Sequence, residues 1–251
     1  MTSDQALEGT TALVTGASRG FGRAIAASLH QAGALVVGVA RDERSLEPVR
    51  AELGERFIPV VANAADPTVA GQLLDRHRPR TLVLNAGAAP LARPLHHHTW
   101  ETFSRNWDVD VKQVFHWTRE ALLLPLEAGS TIVAMSSGAA LRGSPLSGGY
   151  AGAKATIRFI TDYAALEAQR AGLDLRFVSL LPQLTPATDL GAAAAASYAR
   201  RNGSAVDAYV QQLGETLTVE QAGDAVARVA TDHTRASGAM LLTARGLMAA
   251  P

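Results

Sequence analysis

Short apolar segments alternate with longer helical ones along nearly the whole chain, and this alternation limits the possible folds more than any other feature. We interpret seven segments as strands: Thr11–Thr15, Ala34–Ala40, Phe57–Ala62, Thr81–Leu84, Thr131–Met135, Leu175–Leu180 and Gly238–Thr243. Four segments show helical spacing: Phe21–Gln31, Glu43–Leu53, Trp100–Leu124 and Tyr150–Ala171. Apolar strands that alternate with helices indicate a parallel sheet covered on both faces, with right-handed crossovers. The sequence therefore predicts an α/β fold, a Rossmann-like doubly wound parallel sheet of about seven strands.

Composition narrows the class of protein. No linker rich in proline, glycine or serine divides residues 1–251, so we expect one domain. The 23 basic and 23 acidic residues give a net charge of zero, which argues against nucleic acid or a membrane surface as a partner. Cysteine is absent, which excludes disulfides, thiolate metal ligands and a cysteine nucleophile. Without a secretory signal or a run of roughly 18 apolar residues, we expect a soluble cytoplasmic protein.

A glycine-rich turn from Thr15 to Gly22 joins the first predicted strand to the first predicted helix. Glycine permits a tight turn, lets the backbone approach a pyrophosphate, and lets helix and strand pack closely. The helix N-terminus adds unpaired N–H groups and the positive end of the helix dipole. Glycine is common in turns of any kind, but its place between a strand and a helix predicts a dinucleotide-binding site.

The residues after the second strand indicate which dinucleotide binds. An acidic residue about 20 positions beyond the turn would hold a free ribose 2′-OH, whereas arginine favours a 2′-phosphate. Arg41 follows the second strand, and Arg19 in the turn lies on the same side. Two guanidinium groups suit bidentate recognition of a phosphate. We therefore expect NADP(H) rather than NAD(H); the alternative is that both are ordinary surface arginines in an arginine-rich chain.

Tyr150 and Lys154 stand four residues apart at the start of a predicted helix and so share one of its faces. A phenol is a poor acid or base at neutral pH, but a neighbouring cation favours the phenolate. Ser137 ends an apolar strand predicted over Ser130–Ser137, and its hydroxyl can donate to a substrate oxygen on which charge develops. A Tyr-x-x-x-Lys pair alone is usually a solvated pair on a helix surface. Its place after the fifth strand, in a chain with only two lysines, favours a catalytic role.

Together these motifs resemble the short-chain dehydrogenase/reductase family over essentially the whole chain. The matching residues, in the family's order and spacing, are the turn Thr15-Gly16-x-x-x-Gly20-x-Gly22, Asn85-Ala86-Gly87, Ser137, and Tyr150-x-x-x-Lys154. The resemblance implies hydride transfer between a nicotinamide and a carbonyl or secondary alcohol of a small molecule. It also implies that Tyr150 donates or accepts the proton, that Lys154 assists Tyr150 and holds the nicotinamide ribose, and that Ser137 orients the carbonyl. Homodimers or homotetramers packed through the two long helices are common in the family.

The resemblance also suggests which residues form the site. The expected cofactor-binding residues are Gly16, Ser18, Arg19, Gly20, Phe21, Gly22, Arg41, Asn63, Asn85, Ala86, Gly87, Tyr150, Lys154, Pro182, Gln183 and Thr185. Asp110 is the fourth expected catalytic residue, beside Ser137, Tyr150 and Lys154. No metal is expected, because the consecutive residues His96–His98 cannot easily converge on one ion.

Four positions depart from the family's pattern. Asp110 stands where the family has an asparagine that acts largely through its main-chain carbonyl, and a carboxylate near a phenolate would oppose its ionisation. Asn63 replaces an aspartate near the adenine, although its amide oxygen can still accept a hydrogen bond. Gln183 replaces the glycine after Pro182 and is expected to bring a side chain close to the nicotinamide. Residues 243–246 replace Asp-Gly-Gly, so the C-terminal strand could pack differently.

The segment 184–213 corresponds to the family's substrate lid, and Leu190, Tyr198 and Tyr209 are candidates to line it. Two other functions remain open at this stage. One is a regulatory or binding protein that keeps the nucleotide site without redox turnover, because function depends on the site rather than on the fold. The other is non-redox chemistry in the same pocket, such as a dehydration or cyclisation that uses Tyr150.

Overall fold

Eight strands form one sheet in the computed structural model, which describes residues 6–232, 234 and 237–251. The strands are β1 (Thr11–Thr15), β2 (Leu35–Ala40), β3 (Phe57–Val61), β4 (Thr81–Leu84), β5 (Ser130–Met135), β6 (Leu175–Pro182), β7 (Gly238–Thr243) and β8 (Gly246–Ala249). Their order across the sheet is β3-β2-β1-β4-β5-β6-β7-β8, and every neighbouring pair is parallel except β7 and β8. The predicted doubly wound sheet is confirmed, with one additional strand.

Helices cover both faces of this sheet. Those within the described residues are α1 (Gly20–Gln31), α2 (Glu47–Leu53), α3 (Pro67–His77), α4 (Trp100–Asn106), α5 (Lys112–Leu123), α6 (Ala139–Arg142), α7 (Gly148–Arg170), α8 (Asp189–Asn202), α9 (Val206–Gln212) and α10 (Val219–Thr231). Helices α1, α2 and α10 contribute to the core on one face, and α3, α5 and α7 to the core on the other. Within the described ranges, no helix combines the length and apolar character needed to cross a membrane.

The two cores explain why the strands are apolar throughout. In β1, Ala12 and Val14 pack on the α1 face, whereas Leu13 between them packs on the opposite face. Because successive side chains of a strand point to opposite faces, a sheet covered on both sides buries every position. The largest fully buried side chain is Trp117 of α5, whose indole N–H donates to the carbonyl oxygen of Ala64 at 2.8 Å.

The helical stretch predicted over Trp100–Leu124 is present from Trp100 to Leu123, but it is not one regular α-helix, because a π-helical turn over Trp107–Val111 lies between α4 and α5. Such turns insert an extra residue into a helix and are frequent at functional sites. Asp110 is the buried residue of this turn, while Asp108 two residues earlier is exposed. The interruption therefore places one carboxylate in the interior of the protein.

Smaller differences have local causes. The helix predicted from Glu43 begins as a short 3₁₀ turn, and α2 itself starts only at Glu47. Pro48 lies in the first turn of α2, where the N–H that proline lacks would have no partner within the helix.

At the C-terminus, Thr243 pairs with Gly246 in a tight antiparallel turn that leads into β8. This turn occupies the segment where the sequence departs from the family's Asp-Gly-Gly pattern.

The strand order reverses between β1 and β4, which defines where a ligand fits. In open α/β sheets, ligands bind in the crevice outside the carboxyl ends of the strands at this switch point. The glycine turn follows β1, and the segment Asn85–Gly87 follows β4. Both predicted motifs therefore lie at the same crevice.

Candidate active site

The glycine turn between β1 and α1 leaves no room for a side chain at two of its positions. Gly16 has a φ of +67°, and a Cβ atom there would lie 2.8 Å from the Cα atom of Ala86. A Cβ atom on Gly22 would lie 2.0 Å from the carbonyl oxygen of Gly16. Glycine at these positions therefore allows α1 and the loop after β4 to close directly onto the turn.

We expect Gly22→Ala to destabilise the protein by at least about 2 kcal/mol and to prevent dinucleotide binding, because the added methyl group meets backbone rather than a movable side chain. Denaturant unfolding and NADPH fluorescence titration measure the two effects. The matched control is Gly152→Ala in α7, where the Cβ atom would lie 3.6 Å from Cζ2 of Trp107. That control is expected to be neutral or to stabilise by up to about 1 kcal/mol. Unchanged unfolding and binding in Gly22→Ala would contradict the assignment.

The N-terminus of α1 is available to an anionic group. Arg19 precedes the helix in extended backbone, and its side chain makes no capping hydrogen bond to it. Ser18 is half-buried in the turn, while Phe21 packs against the core and anchors the first turn of the helix. Because the first N–H groups of a helix lack partners within it, this end suits the pyrophosphate of a dinucleotide.

Asn85 ties the loop after β4 to the glycine turn. Its side-chain amide donates to the carbonyl oxygens of Thr15 and Gly16 at 3.1 and 3.2 Å. The hydroxyl of Thr15 in turn accepts from the backbone N–H groups of Asn85 and Ala86 at 2.9 and 3.1 Å. The sequence analysis missed Gln113, which donates to the carbonyl oxygen of Ala86 at 3.1 Å from α5. These bonds hold both walls of the crevice in one arrangement.

The start of α8 lies over the glycine turn. A Cβ atom on Gly20 would lie 3.6 Å from Cγ2 of Thr188, and Arg19 forms a 3.2 Å ion pair with Asp189 on the surface. Nothing local in the sequence predicts a functional role for Thr188 or Asp189, because these residues are distant in sequence from the turn that they meet.

The residues that follow β2 and β3 are open to solvent. Arg41 is exposed directly after the end of β2. Asn63 is also exposed after β3, and its amide oxygen accepts from the backbone N–H of Ala65 at 3.2 Å. The Asn63 side-chain oxygen therefore stabilises the turn after β3 through a local hydrogen bond.

Tyr150 and Lys154 share a face of α7, which begins at Gly148, two residues before the predicted start. The ammonium nitrogen of Lys154 lies 5.5 Å from the centroid of the Tyr150 ring. The lysine side chain is only 7% exposed and donates to the carbonyl oxygen of Met135 at 2.9 Å. Strand β5 therefore holds the lysine at a fixed depth beside the phenol.

Asp110 forms a buried ion pair with this lysine. Its Oδ2 atom lies 3.1 Å from Nζ of Lys154, and its side chain is 1% exposed. Its Oδ1 atom accepts from the backbone N–H of Ala88 at 2.8 Å and from the amide of Asn106 at 3.4 Å. A Cβ atom on Gly87 would lie 2.9 Å from Oδ2, so glycine there makes room for the carboxylate.

The ion pair keeps the buried lysine protonated. Burial alone lowers the pKa of Lys154, but the charge attraction and hydrogen bond of Asp110, together with the charge attraction of an ionised Tyr150, outweigh burial and raise that pKa above its ordinary value. Lys154 is therefore a cation throughout the neutral range, and Asp110 is its counter-ion.

Ser137 lies two residues beyond the end of β5 rather than within the strand, as the prediction over Ser130–Ser137 had it. Its hydroxyl oxygen accepts from the backbone N–H of Ala139 at 3.2 Å and still has a proton to donate. The preceding Ser136, which the sequence analysis missed, donates to the carbonyl oxygen of Lys154 at 2.7 Å. That bond fixes the turn of α7 that carries Lys154 against the end of β5.

Gln183 turns its side chain toward the segment before α10. It follows Pro182, the last residue of β6, and its amide donates to the carbonyl oxygen of Glu215 at 3.1 Å. Thr185 is buried and donates to the carbonyl oxygen of Leu217. The chain that leads from β6 into the predicted lid is thus attached to the chain between α9 and α10.

A mostly apolar cavity of about 320 Å³ opens beside the start of α7; its lining residues are Leu95, His98, Phe103, Ser144, Pro145 and Gly148. Ser144 is hydrogen-bonded to the hydroxyl of Tyr198, which stacks on Tyr209 with ring centroids 6.0 Å apart. Two of the three residues proposed for the lid therefore form an aromatic pair next to this cavity. Leu190, the third, is exposed.

The chain is similar to known proteins over most of its length. Residues 10–199 match the short chain dehydrogenase family. The chain is 32% identical over 178 residues to an uncharacterized short-chain type dehydrogenase/reductase of Sinorhizobium fredii, with 68% of each chain covered. It is 30% identical over 191 residues to a probable NADP-dependent dehydrogenase of Haemophilus influenzae, covering 72% of this chain and 73% of the relative.

A solved structure extends the similarity to the whole fold. The 3-ketoacyl-(acyl-carrier-protein) reductase from Brucella melitensis, complexed with NADH, aligns with a TM-score of 0.77 and 25% identity over 94% of this chain and 97% of that one. The chain therefore belongs to the short-chain dehydrogenase/reductase family, as its motifs predicted.

Proposed function

We propose that this protein is an NADP(H)-dependent oxidoreductase that acts on a carbonyl or secondary alcohol of a small molecule. The observation that carries the proposal is the Lys154 ammonium beside the Tyr150 ring, held by β5 at the carboxyl edge of the sheet. A bound nicotinamide supplies or accepts the hydride. Tyr150 gives a proton to the substrate oxygen in reduction and takes it back in oxidation, while Ser137 orients that oxygen by a hydrogen bond.

Two measurements test this function in sequence. Fluorescence titration with NADPH and NADH measures binding, and a panel of ketones and aldehydes followed at the nicotinamide absorbance measures turnover. Oxidation of NADPH by at least one carbonyl is the expected result. Failure to bind either nucleotide would overturn the proposal.

The preference for NADP(H) rests on Arg41, an exposed residue directly after β2. An enzyme that prefers NAD(H) would have an acidic residue here to hold the free ribose 2′-OH, whereas this chain has a cation. The relative from Haemophilus influenzae is named NADP-dependent, whereas the aligned Brucella melitensis structure is complexed with NADH. The chain's own residues therefore have to decide the preference. Arg19 is the second candidate for the phosphate, since its ion pair with Asp189 is exposed and easily exchanged.

We expect Arg41→Ala to raise the Kd for NADPH roughly tenfold to a hundredfold while leaving the Kd for NADH within about twofold. A hydrogen bond to a charged group contributes about 1.5–3 kcal/mol, and only NADPH has the 2′-phosphate to make it. Isothermal titration of both nucleotides measures the difference. Arg50→Ala, which removes an exposed arginine of α2, serves as the control. Equal weakening of both nucleotides would refute the assignment.

A second function is favoured by one specific observation, the buried ion pair of Asp110 and Lys154. A lysine engaged by a carboxylate has fewer donors left for the ribose and the phenol, which suits a nucleotide-binding protein without redox turnover. Binding of NADPH without turnover of any substrate, unchanged by Tyr150→Phe, would favour this second function.

We also propose that the protein forms a homo-oligomer through α5 and α7. Apolar side chains on these helices are exposed, among them Phe115 on α5 and Phe159, Tyr163 and Leu166 on α7. Phe159 stacks on Tyr163 with ring centroids 6.3 Å apart. Exposed apolar side chains that cluster in this way are typical of interaction sites.

A further inference from the structure

Tyr198 of α8 reaches the wall of the cavity beside the start of α7. Its hydroxyl is hydrogen-bonded to the hydroxyl of Ser144, which lines that cavity. Its ring stacks on Tyr209 of α9, with the ring centroids 6.0 Å apart and the two planes 12° from parallel. Both tyrosines are half-buried. The stacked pair therefore holds the Tyr198 hydroxyl at one place on the cavity wall.

The direction of the hydrogen bond between Ser144 and Tyr198 follows from the other bonds of Ser144. A serine hydroxyl has two lone pairs and one proton. The oxygen of Ser144 accepts from the backbone N–H of Ser147 at 3.1 Å and from the hydroxyl of Ser147 at 2.7 Å, which uses both lone pairs. Ser144 therefore donates its own proton to Tyr198. Within the part of the chain that the structure describes, the phenol proton of Tyr198 is then left without an acceptor.

The cavity lies between two loops that leave the carboxyl edge of the sheet. The backbone N–H of Arg93, in the loop after β4, donates to the carbonyl oxygen of Leu146, in the segment before α7, at 2.9 Å. Ser147 follows Leu146 and stands three residues before Tyr150. A substrate whose reacting carbonyl meets Tyr150 therefore has this cavity beside it for the rest of the molecule.

The lining of the cavity favours an uncharged ligand. Of the six lining residues only His98 and Ser144 have polar side chains, and none is a lysine, an arginine or a carboxylate. Its volume of about 320 Å³ is at the lower end of the range of about 300–1,000 Å³ typical of ligand sites, so it suits a compact group. In apolar surroundings a phenol O–H without an acceptor is unfavourable, and a ligand oxygen that accepts its proton removes that cost.

We propose that Tyr198 is a specificity-determining residue that donates its phenol proton to a second oxygen of the substrate. The substrates are then compact, uncharged cyclic ketones that carry an acceptor oxygen, such as a second carbonyl, remote from the reacting one. A ring suits this site because it holds its two oxygens at a fixed separation and loses little freedom on binding. This inference rests on the proposed oxidoreductase function and names its substrate class. Tyr198 selects the substrate, whereas Tyr150 exchanges the proton with the reacting oxygen.

The test compares cyclohexanone with the diketone that carries its second carbonyl at the opposite ring carbon. Isothermal titration with each ketone is carried out without nucleotide and with saturating NADP⁺, which cannot reduce either ketone. The wild type is expected to bind the diketone about three- to tenfold more tightly, the contribution of one hydrogen bond between uncharged groups. In Tyr198→Phe the two Kd values are expected to agree within about twofold, because the donor for the second carbonyl is gone.

Tyr209→Phe is the matched control, because it removes a hydroxyl from the other ring of the stacked pair. It is expected to keep the wild-type preference for the diketone. If the bond between Tyr198 and Ser144 only held the lid in place, Tyr198→Phe would weaken the binding of both ketones equally, which would overturn the inference. Equal binding of the two ketones by the wild type, or binding of neither, would also overturn it. The wild-type comparison decides the question even if a variant does not fold.

The titration needs no turnover, so it separates this inference from the proposed function. A protein that prefers the diketone through Tyr198 but never oxidises NADPH would refute the enzyme and retain the site. Reduction of ketones without a preference that depends on Tyr198 would retain the enzyme and refute the role of Tyr198.

Discussion

Tyr150→Phe is expected to lower kcat for carbonyl reduction by about 10²- to 10⁴-fold, the usual contribution of a positioned general acid. Removal of the hydroxyl takes away the proton that the substrate oxygen receives, but it leaves the ring that packs beside Lys154. NADPH affinity is therefore expected to stay within about threefold of wild type. Steady-state rates with NADPH and fluorescence titration of the same preparations measure the two quantities.

A control for this prediction is available on the same helix. Tyr163→Phe removes a hydroxyl from α7 at a side chain that is 61% exposed, and its rate is expected to match the wild type. Wild-type turnover in Tyr150→Phe would remove the phenol from the mechanism. A similar loss in both variants would point to damage to α7 rather than to loss of a proton donor.

Lys154→Met is expected to destabilise the protein by about 3–5 kcal/mol, because it leaves the Asp110 carboxylate buried without its cation. A complete buried ion pair adds little to the free energy of unfolding beyond what two apolar side chains of similar volume would add. A single buried charge without its partner lowers that free energy strongly. The double variant Lys154→Met/Asp110→Asn is therefore expected to recover most of the loss. Denaturant unfolding gives the free energy of unfolding of the wild type, of Lys154→Met, of Asp110→Asn and of the double variant. These four values form a double-mutant cycle that measures the interaction between the two side chains.

The contribution of Lys154 to the free energy of unfolding depends on pH and decreases only in alkaline solution. Since the pKa of Lys154 is raised in the folded protein, its stabilising contribution is fully present below the unfolded-state value of about 10.4. That contribution is lost as the pH rises through the higher folded value. The stability difference between wild type and Lys154→Met should therefore hold across neutral pH and shrink only in strongly alkaline solution. Additive losses in the cycle at neutral pH would mean that the two side chains do not interact.

The sequence by itself determined the sheet and the position of its motifs. Because strands buried on both faces are apolar at every position, runs such as Thr81–Leu84 predicted strands that the structure reproduces residue for residue. The glycines at positions 16 and 22 are required by backbone contacts within the turn and with the neighbouring loop, so their local spacing already indicated the crevice. Spacing also placed Tyr150 and Lys154 on one face of a helix.

Tertiary structure alone decided how the charges meet in the candidate site. Asp110 and Lys154 are far apart in sequence. The resemblance to the family placed Asp110 in the same site, but the helical spacing over 100–124 did not show that its carboxylate pairs with the lysine. The π-helical turn at Trp107–Val111 buries Asp110, and the bonds from Ala88 and Asn106 fix its orientation. The attachment of Gln183 to Glu215 and of Arg19 to Asp189 was equally invisible, because each joins segments that only the folded chain brings together. Local periodicity can reveal secondary structure and nearby pairs, but the partner of a buried charge is set by which distant backbone packs against it.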